Sequence, residues 1–341
     1  MQKPALAATA ASDTAVELLG VSKTFIQQQR AGTISDALKN LIHPQTKEIR
    51  ALDDVNLTVK KGEFVAYAGP NGAGKSTTIK LLCGMLAPDK GAVHVFGLPS
   101  AKNRITLMRR VGILFGNRSE LRWDHPVASS FAWKREVWNI PEAVYQKMLR
   151  EVTERLDIGD LLHTFTRELS LGQRMRCELA LMLLHNPELV LLDEPTLGLD
   201  VLAKRQMIEF LRTLGKEYGT TVLVTSHDMD DLAEMAQRVV LISNGRIAMD
   251  GTFDELRRTN SLRRLVRVRT ESSLPPRLTS ASHVESEAFV HTFAFEPAST
   301  PVQRVLYELA QMPDVSDVEL APEPLEAVIA SLYKSWKAQE A

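Results

Sequence analysis

Gly69-Pro70-Asn71-Gly72-Ala73-Gly74-Lys75-Ser76-Thr77 decides how the rest of this 341-residue chain is read. It fits the pattern G-x-x-x-x-G-K-[ST], and its flanks supply the context that pattern requires. Phe64-Val65-Ala66-Tyr67-Ala68 before it reads as a short buried strand, and Thr77-Thr78-Ile79-Lys80-Leu81-Leu82 after it begins a helix. The glycines let the backbone curl until successive N–H groups face one point, where the helix N-terminus adds about half a positive charge. Such a nest takes phosphate. Lys75 is then placed for the β- and γ-phosphates of a nucleoside triphosphate, and the Ser76 hydroxyl for Mg²⁺.

Working outward, Leu189-Val190-Leu191-Leu192-Asp193 is apolar up to its last residue, as a parallel strand covered on both faces must be. Downstream of a phosphate loop, Asp193 at the strand's end suits the metal shell, and Glu194 beside it suits the attacking water. Val111 to Phe115 and Thr221 to Thr225 read as further strands. Ser170 can cap a helix from Leu171 to His185, which Asn186-Pro187 stops, and a second helix is expected over Ala203 to Tyr218. Val239 to Ser243 and Arg246 to Met249 flank Asn244-Gly245, the signal for a hairpin with a type I′ turn. Upstream, Val16 to Phe25 and Ala51 to Val59 read as strands on either side of a polar stretch, Ile26 to Arg50. Helices carrying Trp123, Trp133 and Trp138 are expected between residues 117 and 170. Strands alternating with helices predict an α/β domain over residues 15–255 with a mainly parallel sheet, after a disordered 1–14.

Past Gly251 the character changes. Leu265 to Arg269 and Phe289 to Phe295 alternate like strands with one solvent face, and Thr300-Pro301 opens a helix to about Gln311. A strand near Val315 to Leu320 and a helix from Pro324 to Trp336 complete a small α+β domain over residues 265–341. Arg257, Arg258, Arg263, Arg264, Arg267 and Arg269 read first as a solvated face, and contact with anionic lipid is the other reading. Without interleaved aromatics, and with a net charge of -1 for the chain, no nucleic acid is expected as a partner.

The 44% hydrophobic and 24% charged residues are those of a chain that buries a full core. The two cysteines, Cys83 and Cys177, form no C-x-x-C pair and are expected as buried thiols. No apolar run approaches the roughly 18 residues of a membrane span. Met1 to Thr14 lacks the apolar centre of a signal peptide, so a cytoplasmic location is expected.

Leu169-Ser170-Leu171-Gly172-Gln173-Arg174 resembles the signature motif of ABC-transporter ATPases, with Leu171 where that family usually has Gly. The resemblance covers roughly residues 15–250. It implies a P-loop NTPase of ABC type with an antiparallel β-subdomain, a helical subdomain and, here, the small C-terminal domain. Phe25 matches the aromatic that stacks on adenine, Gly198-Leu199-Asp200 the D-loop, and Ser226-His227 the switch histidine. After Phe115 the family usually has Gln, touching Mg²⁺ and water. Here Gly116-Asn117-Arg118-Ser119-Glu120 contains none, and Asn117 is the closest substitute, with Glu120 second. The resemblance further implies ATP as nucleotide, capped in trans by the Ser170 signature of a second subunit, identical or related. It also implies a multispanning permease as partner, on the inner face of the cell membrane. The absence of long heptad arms, zinc cysteines and a second phosphate loop argues against the family's non-transport branches, although an ATP switch unconnected with transport stays an alternative. Val111 to Pro126 and Pro324-Leu325-Glu326-Ala327-Val328 look like the ABC-2 drug- and viologen-exporter branch. The polar stretch Ile26 to Arg50 is reminiscent of polysaccharide-export ATPases. For the C-terminal domain the resemblance implies dimer stabilisation or regulation.

Overall fold

The computed structural model describes residues 13–28, 46–116, 119–226, 228–260 and 263–340. β1 (Thr14–Gln28) and β2 (Thr46–Lys60) pair antiparallel from Thr14 opposite Lys60 to Gln28 opposite Thr46. β1 therefore starts inside the stretch expected to be disordered. The ends of the polar stretch, Ile26 to Gln28 and Thr46 to Arg50, are strand rather than connection. Their exposed side chains carry no hydropathy signal, and the ladder of main-chain bonds holds them.

β3 (Phe64–Ala68) leads through the phosphate loop into α1 (Lys75–Leu82). β4 (Lys90–Val95) and the short β5 (Leu98–Pro99) complete a four-stranded antiparallel sheet in the order β2-β1-β4-β5. α2 (Arg104–Met108) precedes β6 (Val111–Phe115). α3 (Val127–Trp138) and α4 (Glu142–Arg155) form the helical insertion, and α5 (Leu171–Leu183) leads to β7 (Leu189–Asp193). α6 (Val201–Tyr218), β8 (Thr221–Thr225), α7 (Met229–Met235), β9 (Arg238–Ser243) and β10 (Arg246–Thr252) follow. The second sheet has the order β10-β9-β3-β8-β7-β6, with parallel pairing from β9 to β6. Asn244 and Gly245, at φ 48° and 78°, make the turn between β9 and β10, as a type I′ turn demands.

One core joins both sheets to α1. Val16, Leu18, Leu52 and Leu57 from the antiparallel sheet meet Ile79, Leu81 and Leu82 from the helix, and Val65, Leu191, Leu223 and Val240 from the parallel sheet. Each fully buried aliphatic side chain contributes about 1.5–3 kcal/mol, so the helix behind the phosphate loop is held from two sides. In the parallel sheet Phe115 lies opposite Asp193, and Asp193 opposite Thr225. The C-terminal ends of β6, β7 and β8 thus share one edge, where α/β sheets carry ligands.

The chain divides into two compact units, Met1–Asp250 and Gly251–Ala341. In the second, α8 (Phe253–Asn260) precedes β11 (Arg264–Thr270), β12 (Ser282–Glu287), β13 (Val290–Phe295), α9 (Val302–Ala310), β14 (Val315–Pro322) and α10 (Leu325–Glu340). Its antiparallel sheet has the order β12-β13-β11-β14, over a core of Val266, Val268, Phe293, Phe295, Val305 and Leu309. Pro301 is the N-cap of α9 rather than its first helical residue. Among the described residues no helix is long and apolar enough to cross a membrane.

Candidate active site

Two glycines of the phosphate loop sit where no side chain fits. A Cβ on Gly69 would fall 2.3 Å from the Ile242 carbonyl, and one on Gly74, at φ 114°, would fall 2.6 Å from that of Ala51. The β9–β10 turn is tied to the loop: Gly245 N–H donates to the Ala73 carbonyl (3.1 Å), and Asp53 N–H to that of Gly245 (2.9 Å). Thr77 and Thr78 continue α1, and the Thr78 hydroxyl donates back to the Gly74 carbonyl at 3.1 Å. Pro70, Asn71, Gly72 and Ser76 face solvent while Ala73 and Lys75 are buried.

Lys75 Nζ donates to the carbonyls of Gly69 (2.6 Å) and Pro70 (3.2 Å). Burial holds its ammonium below lysine's ordinary value, against the opposing pull of the Glu194 and Asp193 charges. Those two carboxylates are thus brought to the phosphate loop, as their place in the sequence suggests. Asp193 Oδ1 accepts from Thr225 Oγ1 at 2.8 Å. Glu194, at φ 57°, donates its N–H to the Thr225 carbonyl (3.1 Å), with Thr225 Oγ1 also within reach (3.2 Å). The buried Thr225 therefore fixes both acids, which no sequence pattern marks. Gly116 N–H donates to the Asp193 carbonyl at 3.0 Å. Asn117 and His227 lie outside the described residues, but the neighbours of His227 are anchored. Asp228 N–H donates to Ser226 Oγ (3.1 Å), and Lys204 of α6 pairs with Asp228 and with Asp231 (2.9 Å).

A second cluster gathers around the signature. Leu169 leads into α5. Ser170 and Gln173 form a reciprocal capping box: Ser170 Oγ accepts from Gln173 N–H (3.2 Å), and Gln173 Oε1 from Ser170 N–H (2.9 Å). Gly172 sits in the first turn of α5, where a Cβ would lie 2.9 Å from Cβ of Ala203 on α6. Asp200 caps α6, accepting from Ala203 N–H at 2.9 Å. Four apolar side chains surround these caps in solvent: Leu171 (42% exposed), Leu197 (60%), Val201 (84%) and Leu202 (69%).

Phe25, 37% exposed, stands on β1 opposite Ile49, with Lys23 Nζ 5.8 Å from its ring centroid. Cys83 and Cys177 are buried thiols, each pushed up to about 12 by that burial, so neither supplies a thiolate at neutral pH. Of the three tryptophans expected between residues 117 and 170, Trp138 lines a groove of about 840 Å³ with Ile105, Val137, Lys102, Arg104 and Arg109, whereas Trp123 and Trp133 are half-exposed and are not among its lining residues.

A strand–loop–helix phosphate nest facing an Asp-Glu pair, with an antiparallel sheet and a helical insertion on the same parallel core, defines a P-loop ATPase cassette. The family described as ABC transporter matches residues 52–197. The energy-coupling factor transporter ATP-binding protein EcfA of Methanoculleus marisnigri is 34% identical over 219 residues, 64% of this chain and 79% of the relative. The methionine import ATP-binding protein MetN of Carboxydothermus hydrogenoformans is 31% identical over 225 residues, 64% of this chain and 66% of the relative. The solved structure of cbiO1 from Clostridium perfringens, part of the ABC transporter complex cbiONQ, superposes with a TM-score of 0.60 at 26% identity, over 73% of this chain and 95% of that one. The chain belongs to the ATP-binding proteins of the ABC transporter family, and it is an ATPase.

Proposed function

We propose that the chain is the ATP-binding and hydrolysing subunit of a membrane transporter, working as a dimer against a separate multispanning permease. The observation that carries this is the exposed apolar ring of Leu171, Leu197, Val201 and Leu202 around the caps at Ser170 and Asp200. Apolar side chains clustered in solvent mark a surface that a partner covers. A second subunit there, identical or related, would bring its own ATP to the open N-terminus of α5, where Ser170 and the N–H groups of Gly172 and Gln173 can receive the γ-phosphate.

In this reading the backbone from Gly69 to Thr77 wraps the phosphates, Lys75 neutralises the β- and γ-oxygens, and Phe25 stacks on adenine. Asp193 and the Ser76 hydroxyl are hard oxygen donors that fit Mg²⁺, which typically takes one or two carboxylates beside phosphate oxygens. Bound there, Mg²⁺ would supply charge neutralisation at the transferring phosphoryl group. Asn117 would share that shell, Glu194 would orient and deprotonate the attacking water, and His227 would sense the γ-phosphate. Asp200 would face the partner subunit. The groove lined by Ile105, Val137 and Trp138 would receive a permease segment, keeping the subunit peripheral on the cytoplasmic face. We read the direction as export, on the stretches Val111 to Pro126 and Pro324 to Val328; the relative MetN is by its name an import ATP-binding protein.

The test is to co-express the Glu194→Gln chain with the membrane proteins encoded beside it, solubilise in detergent, and weigh the complex with ATP and Mg²⁺. A dimer bound to a multispanning protein is expected. A chain that stays monomeric with ATP at every concentration, or a soluble dimer that never retains a membrane protein, would overturn the reading.

A further inference from the structure

The sequence of α5 is apolar on its inner face except at one position, where Glu178 is 6% exposed. Its carboxylate accepts from three successive residues that follow β6. Ser119 Oγ donates to Oε1, Glu120 N–H to Oε2 at 3.1 Å, and Leu121 N–H to Oε1 at 3.3 Å. Burial pushes this carboxyl above its ordinary value, so the three bonds do not recover what desolvation of the charge costs. Replacing Glu178 alone by an apolar residue would leave the Ser119 hydroxyl and the Glu120 and Leu121 N–H groups without their acceptor. A buried carboxyl that accepts from three successive residues fixes where that segment lies relative to α5.

We propose that Glu178 is a positioning residue that ties the helix beginning at Ser170 to the peptide leaving the catalytic strands. This rests on the role given above to that helix. The peptide is pinned at both described ends. Gly116 N–H holds the Asp193 carbonyl at 3.0 Å, and Ser119 to Leu121 are held by Glu178. Gly116 also lies so close to the Asp193-Glu194 backbone that a Cβ on it would fall 3.0 Å and 3.2 Å from their carbonyls. A displacement of α5, caused by a partner closing on its N-terminus, is therefore delivered through Glu178 to the backbone that carries Asp193 and Glu194. The same peptide reaches the groove. Glu120 Oε2 pairs with the buried Lys134 at 2.8 Å, and Lys134 Nζ stands 4.9 Å from the ring centroid of Trp138 in the groove wall. Glu178 is thus the junction of three surfaces: the α5 N-terminus, the catalytic strand ends and the groove.

The test uses the full chain with Glu178→Gln, which keeps the shape but replaces one acceptor oxygen by a donor, and with the milder Ser119→Ala. Amide exchange over residues 119–121 should quicken about tenfold or more in Glu178→Gln. Its kcat for ATP should fall about ten- to a hundredfold while KM for ATP stays within about twofold, the pattern of lost positioning rather than lost binding. Ser119→Ala should move both readouts the same way by less, and the double variant should lose less than the product of the two single effects. Unchanged exchange would remove the latch. Faster exchange with unchanged kcat would reduce Glu178 to a structural anchor and overturn the proposal. The dimer measurement on the chain that retains Glu178 separates a failure of the proposed function from a failure of this one.

Discussion

Thr225→Val removes one O–H from the centre of the site and leaves the side chain's shape almost intact. Thr225 is fully buried, and its hydroxyl donates to Asp193 Oδ1 at 2.8 Å. A hydrogen bond to a charged group contributes about 1.5–3 kcal/mol net. Asp193 is half-buried, so water can replace part of the bond, and the lower end applies. Glu194 N–H keeps the Thr225 carbonyl at 3.1 Å, so its backbone stays in place. The expected cost is therefore about 1.5 kcal/mol, which is roughly a 12-fold effect on an equilibrium that depends on Asp193. It should lower Tm by about 3–6 °C for a unit of this size. The assay is steady-state ATPase activity against free Mg²⁺ at saturating ATP, with thermal unfolding measured in parallel. The Mg²⁺ concentration at half-activity should rise about tenfold, and Thr225→Ser, which restores the donor, should recover most of it. A half-activity concentration within twofold of the wild type would show that the Thr225 bond does not set the Asp193 carboxylate for the metal.

Two further expectations concern stability. Gly74→Ala places a Cβ 2.6 Å from the Ala51 carbonyl at φ 114°, adding overpacking to backbone strain, so a loss of about 3–5 kcal/mol is expected. Gly72→Ala, at φ 78° with nothing within 4 Å, should lose only about 1 kcal/mol, and equal losses in thermal melts would refute the close fit at Gly74. His185 is held down to about 4 by burial and then by the Lys134 charge, below its ordinary 6.5. Its contribution is therefore complete above pH 6.5 and is lost as pH falls toward 4. Relative to the wild type, His185→Phe should lose about 2–3 kcal/mol less between pH 7.5 and 4.5 in urea unfolding, and parallel pH profiles would show that His185 does not titrate there.

The parts of this molecule legible in the sequence are those whose signal is local. The strands at Phe64–Ala68, Val111–Phe115, Leu189–Asp193 and Thr221–Thr225 lie at the bounds their apolar runs suggest, because both faces of each are covered. β12 (Ser282–Glu287) gives no such signal, since all six of its side chains are exposed and only its ladder to β13 makes it a strand. The site divides in the same way. The phosphate loop, Asp193-Glu194 and the Ser170 cap are contiguous motifs. Thr225, Glu178 and the Lys204 pairs act across gaps of 24 to 59 residues, and only folding brings them to their partners. A lone Glu in the apolar run of α5 was the one visible trace of the second group.

The close fit at Gly69 and Gly74 has a consequence for what the molecule can measure. Gly74 is fitted against Ala51 of β2, Gly69 against Ile242 of β9, and the Gly245 turn bonds to both the loop and Asp53. β2 in turn carries β1, with Phe25 opposite Ile49. The arm that would hold a base and the loop that would hold phosphates are therefore two jaws of one caliper, joined through these backbone contacts. A ligand held by both would be gauged by the span between its ring and its terminal phosphate, and one that is too short would close on a single jaw.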